Sequence, residues 1–263
     1  MLAGMLLILV ACAPRPPIRG AGEADAASLT KLAKLARDSE EFRSIQDRSV
    51  EPHGDYTLAF VEFDGRGMPH NEQIESAAEA IRDVPDGGKS VVVLFVHGLG
   101  HSADALDDHV AGFRETLSRL AQALPHRKVV GVYVGWPARW LKGWPHYLTF
   151  WDRSRASQQI SQAPEVHDVL QGFRKIVRAQ RDAGKDVVSV AVGHSLGGKF
   201  LFTPIEECLE GDTDTCKEEL PAPEDLPLFG DLVFLVNPAQ DIHDFDAFAD
   251  YARNRSKKTP RLS

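Results

Sequence analysis

The stretch Val187-Val188-Ser189-Val190-Ala191-Val192-Gly193-His194-Ser195-Leu196-Gly197 decides the fold. Its first six residues form an apolar run of the length of a buried strand. Gly193-His194-Ser195-Leu196-Gly197 follows at once, and Lys199-Phe200-Leu201-Phe202 continues as a helix. Strand, Gly-x-Ser-x-Gly, helix is the arrangement in which the serine sits on a sharp, strained turn. Strand and helix then run so close that the positions two before and two after the serine must be small. Gly193 and Gly197 meet that demand. Ser195 is therefore the candidate nucleophile, with its hydroxyl standing above the end of a sheet.

The neighbouring pattern alternates strands and helices. Val91–Val96, Val129–Val134 and Leu232–Val236 read as further apolar strands, and Tyr56–Phe63, which alternates and carries β-branched and aromatic residues, reads as another. Between them, 71–82, 106–124 and 166–181 carry apolar residues at helical spacing, such as Val110, Phe113, Leu117, Leu120 and Leu124. An earlier helix is expected over 28–48. Continuous apolar strands separated by amphipathic helices imply a mostly parallel sheet with helices on both faces, a three-layer α/β fold.

A second motif, His97-Gly98-Leu99-Gly100, directly follows the strand ending at Val96. Attack on a carbonyl creates a negative oxygen that preorganised backbone N–H groups can hold. The residue after the serine supplies one such donor and an early His-Gly loop the other. Leu196 and Leu99 are the two candidates for this oxyanion hole. Both motifs cap the C-terminal ends of predicted parallel strands, where ligands bind in open α/β sheets.

With these motifs, Val93-Leu94-Phe95-Val96-His97-Gly98, Asp107-Asp108, Gly112-Phe113 and Val130–Trp136 resemble an esterase-like bacterial branch of the α/β-hydrolase superfamily. The resemblance covers roughly residues 56–262. It implies a serine hydrolase acting on a small-molecule carboxylic ester or related acyl group through an acyl-enzyme, without a cofactor.

The same resemblance implies an acid and a histidine after Ser195. The one histidine that follows is His243, in Asp241-Ile242-His243-Asp244-Phe245. Asp241 is a candidate acid, but residues two apart on one short segment do not make a linear Ser–His–Asp array. The base is therefore unassigned. The chain is expected to stop as the next strand begins, with two βα units unrepresented, the sheet incomplete at its C-terminal edge and Leu232–Val236 left as an apolar edge. A non-catalytic or remnant hydrolase-fold binding protein is the alternative function.

Gly193–Lys199 also fits the start of a phosphate-binding loop, but Phe200 stands where Ser or Thr would hold magnesium. His101 and His109 are expected at polar surface positions, and Asp107-Asp108-His109 is expected to hold no metal, because adjacent helical residues face different ways. All four tryptophans, Trp136, Trp140, Trp144 and Trp151, fall close together; Trp136, directly after a strand, is the one expected beside the pocket.

The chain has 263 residues, 43% hydrophobic, with 30 basic against 38 acidic residues and a net charge of −8. Without a Lys/Arg cluster, nucleic acid is excluded as an expected partner. Residues 1–12 read as a signal peptide with a lipobox, Leu9-Val10-Ala11-Cys12, although no Lys or Arg precedes its apolar run. Cys12 would carry lipid and hold an exported protein on the periplasmic face of a membrane or at the cell surface. Residues 13–27, rich in Pro, Gly and Ala, read as a tether, and 28–263 as the hydrolase domain. Cys208 and Cys216 are the candidate disulfide of an exported chain.

Overall fold

The apolar runs become the inner strands of one sheet. In a computed structural model, residues 17–137, 160–210 and 229–258 are described, apart from 30, 35, 36, 38, 86, 161 and 241. In chain order the elements are α1 (Ala26–Leu29), a 3₁₀ turn (Leu32–Lys34), α2 (Glu40–Gln46), β1 (Val50–Pro52), β2 (Tyr56–Glu62) and α3 (Asn71–Arg82). Then come β3 (Lys89–Val96), α4 (Asp108–Ala123), β4 (Lys128–Gly135), α5 (Pro164–Asp182), β5 (Asp186–His194) and α6 (Leu196–Glu210). β6 (Leu232–Val236), a 3₁₀ turn (Ile242–Phe245) and α7 (Asp246–Lys258) complete the described chain.

The strands lie in the order β1-β2-β4-β3-β5-β6. β1 is antiparallel to β2, and the other pairings are parallel. Chain order and sheet order differ because each parallel pairing needs a helical crossover. One face carries α3, α5 and α6, whose Ile81, Phe173, Val177 and Phe200 meet Val92, Leu94 and Val132. The other carries α4, whose Phe113 and Leu117 meet Phe60, Val91, Val93 and Tyr133. This is the three-layer α/β fold expected from the alternating pattern.

Two local expectations differ from the structure. The helix expected over 28–48 is interrupted, and α2 starts afresh where the Ser39 side chain accepts a hydrogen bond from the Phe42 N–H. Serine competes for backbone groups in this way and so favours caps over helix interiors. β1 is not among the expected strands, and its central residue is Glu51. That carboxylate is fully buried between Arg19 (2.9 Å) and Arg114 (2.6 Å), two partners invisible in the local sequence.

Within the 13–27 segment expected as a tether, part is docked on the domain. The Ile18 and Arg19 N–H groups donate to the two Glu62 carboxylate oxygens at 3.0 and 2.8 Å. The buried Arg19 guanidinium donates to Ala103 O and Ile45 O and lies over the Phe60 ring. At the opposite edge, β6 pairs with β5 alone among the described residues. Its Leu232, Phe234 and Val236 are 51%, 50% and 45% exposed. Among the described residues no helix is long and apolar enough to cross a membrane.

Candidate active site

The site is built where β3 and β5, direct neighbours in the sheet, end together. Val96 pairs with Gly193, so the loop opened by His97-Gly98 and the turn at Ser195 leave the sheet side by side. Ser195 has φ 54°, in the left-handed region that few non-glycine residues adopt. Its N–H donates to Val236 O (2.9 Å), and its carbonyl accepts from Gly198 N and Ala239 N, both at 3.0 Å. The strained turn is thus clamped by the end of β6 and by the first turn of α6.

The glycines are small because backbone crosses backbone. A Cβ on Gly193 would stand 2.5 Å from Gly197 O, and one on Gly197 would stand 2.2 Å from Val96 O. Gly98 backs directly onto the turn: a Cβ there would meet Ser195 Cβ at 3.0 Å and His194 O at 2.9 Å. Leu99, the next residue, carries one candidate oxyanion donor. Leu196 opens α6, so its N–H is one of the first-turn donors that a helix cannot satisfy internally.

His97 locks the loop from below. Its Nδ1 bonds Gly98 O (2.9 Å), and the Trp136 N–H donates to its Nε2 (3.1 Å). A backbone N–H can only donate, so Nε2 is the unprotonated nitrogen and Nδ1 carries the proton. The Trp136 indole N–H donates to His97 O (2.9 Å), with the two rings parallel within 5°. Complete burial lowers the His97 pKa to about 4, which keeps the ring neutral. Trp136 is a buried brace for this loop. Trp140, Trp144 and Trp151 lie outside the described residues.

The surface positions expected for His101 and His109 are not what the structure shows. Gly100 turns the loop through φ 84° and brings His101 back over α4. His101 Nδ1 bonds Asp107 Oδ1 at 2.9 Å, and the His101 and His109 rings stack at 3.3 Å. His109 in turn meets His194 edge-on at 4.9 Å. Burial, then the His101 and His194 rings, lowers the His109 pKa to about 4. Burial likewise lowers that of His194. The His109 and His194 Nδ1 atoms are buried without a hydrogen-bond partner among the described residues. Asp107 holds the arrangement together: it also accepts from the Ser102 N–H (3.1 Å) and caps α4 through the His109 N–H (2.9 Å). A sequence signal for this cluster existed in the three histidines adjoining the two motifs, but their mutual stacking depends on α4 crossing the loop.

Residues 93–257, more than half of the chain, match the model of the alpha/beta hydrolase family. The chain belongs to that family. Among curated proteins and among solved structures, nothing matches it.

Of the other candidate residues of this hydrolase-fold chain, the structure describes His243 and Cys208. His243 is exposed, with its Nδ1 3.3 Å from Asp246 Oδ2. Asp241 lies outside the described residues, as do Cys12 and Cys216. Cys208 is buried and disulfide-bonded. No histidine among the described residues is hydrogen-bonded to Ser195 Oγ. None of the described residues forms a group of three or more His, Cys, Asp or Glu placed to hold a metal ion.

Proposed function

We propose that the protein is a serine hydrolase of carboxylic esters, with Ser195 as nucleophile. The observation that carries this reading is the left-handed backbone of Ser195 at a strand-to-helix junction, beside Gly98. Non-glycine residues other than asparagine held in that conformation cluster at active sites, where the strain is part of the mechanism. Ser195 Oγ attacks the ester carbonyl carbon and forms the C–O bond as its proton passes to a base, water or a residue outside the described ones, which returns it to the departing alkoxide so that it leaves as the alcohol. The carbonyl oxygen takes the negative charge, which the Leu99 and Leu196 N–H groups stabilise. Collapse of this intermediate expels the alcohol and leaves an acyl-enzyme, and water then releases the acid. The chemistry needs no cofactor, and its partner is a small-molecule acyl ester. The anchor reading belongs to the same proposal: a lipid on Cys12 holds the exported chain at a membrane, facing the periplasm or the cell surface.

One observation favours a second reading, a hydrolase-fold binding protein without catalysis. Ser195 Oγ lacks a histidine partner among the described residues, and an unactivated serine hydroxyl is a weak nucleophile. A fluorophosphonate probe separates the two. Stoichiometric labelling that disappears in Ser195→Ala supports the hydrolase; no labelling of the intact chain establishes the binding protein.

A further inference from the structure

The geometry points to a membrane lying against the active-site end of this domain, with an acyl ester held in that membrane as the substrate. This rests on the hydrolase and lipid-anchor readings above and concerns how the two are joined.

The first described residues fix where the chain enters the domain. Ile18 and Arg19 are held by Glu62, the last residue of β2. Glu62 is in register with Gly135, Val134 with Val96, and Val96 with Gly193. The ends of β2, β4, β3 and β5 are therefore level, and all lie at the end of the sheet that carries Ser195. Three interstrand spacings separate β2 from β5, about 15 Å. Arg19 reaches further toward the site, donating to Ala103 O (2.7 Å) in the loop that follows Leu99. The hold is strong: Arg19 and Glu51 form an ion pair at 2.9 Å with both side chains fully buried, and breaking one partner of such a pair is costly.

Leash length then decides orientation. Five residues, Ala13 to Pro17, separate Cys12 from Ile18. Fully extended, the path from Cys12 to Ile18 spans no more than about 20 Å. β5 alone, Asp186–His194, rises about 27 Å from the far end of the sheet to the site. A lipid on Cys12 therefore cannot reach past the sheet to put its far end on the bilayer. A second observation points the same way. Ile18 and Met68 are large apolar residues left 42% and 46% exposed. Both sit at this end of β2, where the Asp64 N–H donates to Met68 O and Phe63 bridges Pro69. Apolar side chains beside an anchor are what an interfacial contact uses.

The test uses the full-length lipidated chain on vesicles of phosphatidylethanolamine and phosphatidylglycerol. An environment-sensitive fluorophore is placed at Met68→Cys, or at Ala183→Cys on the exposed turn after α5 at the opposite end. Spin-labelled lipid should quench the Met68→Cys label several-fold more. Equal or stronger quenching at Ala183→Cys overturns the orientation. For the substrate, Ser195 should react about ten-fold or more faster with a long-chain phosphonate held in the bilayer than the unanchored Cys12→Ser chain does, because anchoring raises the effective concentration. Both forms should react equally with a soluble phosphonate. Reaction of the anchored chain with the soluble probe alone overturns the substrate assignment. Reaction with neither overturns the hydrolase reading and leaves the quenching result standing. Absence of palmitate labelling on Cys12 overturns the anchor reading and this inference together.

Discussion

β5 and β6 run parallel, pair over five positions, and each hands the chain to a non-glycine residue with positive φ, Ser195 at 54° and Asn237 at 44°. The surroundings of the two turns differ. Below Ser195, Val187 and Ala191 are buried in the sheet, and Gly193, Gly197 and Gly98 bring three backbone segments together without room for a Cβ. Below Asn237, Leu232, Phe234 and Val236 are about half exposed, although the strand is just as apolar. Apolar composition therefore says that a segment is a strand, not how deep in the sheet it lies. Backbone crowding marks the site, and the largest effects of substitution should follow the crowding.

Gly197→Ala should have the largest effect, because Gly197 is the most crowded position at the Ser195 turn. The new Cβ meets Val96 O at 2.2 Å and His97 O at 2.7 Å, and these are backbone atoms of a central strand and its loop. Nothing nearby can yield without moving β3. A loss of about 3 kcal/mol or more is expected, read as a fall in the urea midpoint or as loss of soluble protein. A change below about 1 kcal/mol would show that the crossing is looser than described.

Acid should have the next largest effect. His97 is neutral in the fold, with a pKa of about 4, whereas an unfolded histidine titrates near 6.5. Below pH 6.5 the unfolded chain binds the proton and the folded chain does not, so stability falls with pH from 6.5 to about 4 and then levels. That single group accounts for about 3 kcal/mol between pH 7 and pH 4. His109, also at about 4, loses stability in the same window. In His97→Phe the protein should start weaker at pH 7, having lost its bonds to Gly98 and Trp136, but fall less on acidification. Equal pH slopes in both proteins would remove His97 as the cause.

These two sites were not equally legible in the sequence. The turn could be read residue by residue, because Gly-x-Ser-x-Gly states its own steric rule. The parallel sheet followed from the apolar runs, whose bounds shifted by a residue or two. Hidden from local reading were the features that depend on distant partners. Glu51 carries no local signal of burial, because the Arg19 and Arg114 that close on it are 32 and 63 residues away. His101 and His109 looked like surface polar residues until Gly100 folded the loop onto α4. Arg19 belonged to a Pro- and Gly-rich stretch, and composition carries no information about one buried guanidinium within it.

The smallest expected effect is the sharpest comparison of the two turns. Glycine adopts positive φ freely, whereas a left-handed L-residue costs about 1–2 kcal/mol, less for asparagine. Glycine also loses more chain entropy on folding, about 0.5–1 kcal/mol. Ser195→Gly should therefore gain roughly 0.5–1 kcal/mol while removing the hydroxyl. Asn237→Gly, starting from the residue type that tolerates this region best, should stay within about 0.3 kcal/mol of the parent. Urea unfolding of both variants in parallel makes the comparison. A gain at 195 without one at 237 means that the fold spends stability on keeping a hydroxyl at the head of α6, as a reactive serine requires. Equal gains would mean that both turns are strained alike by the geometry of strand ends, and Ser195 would lose its claim to be held there for chemistry.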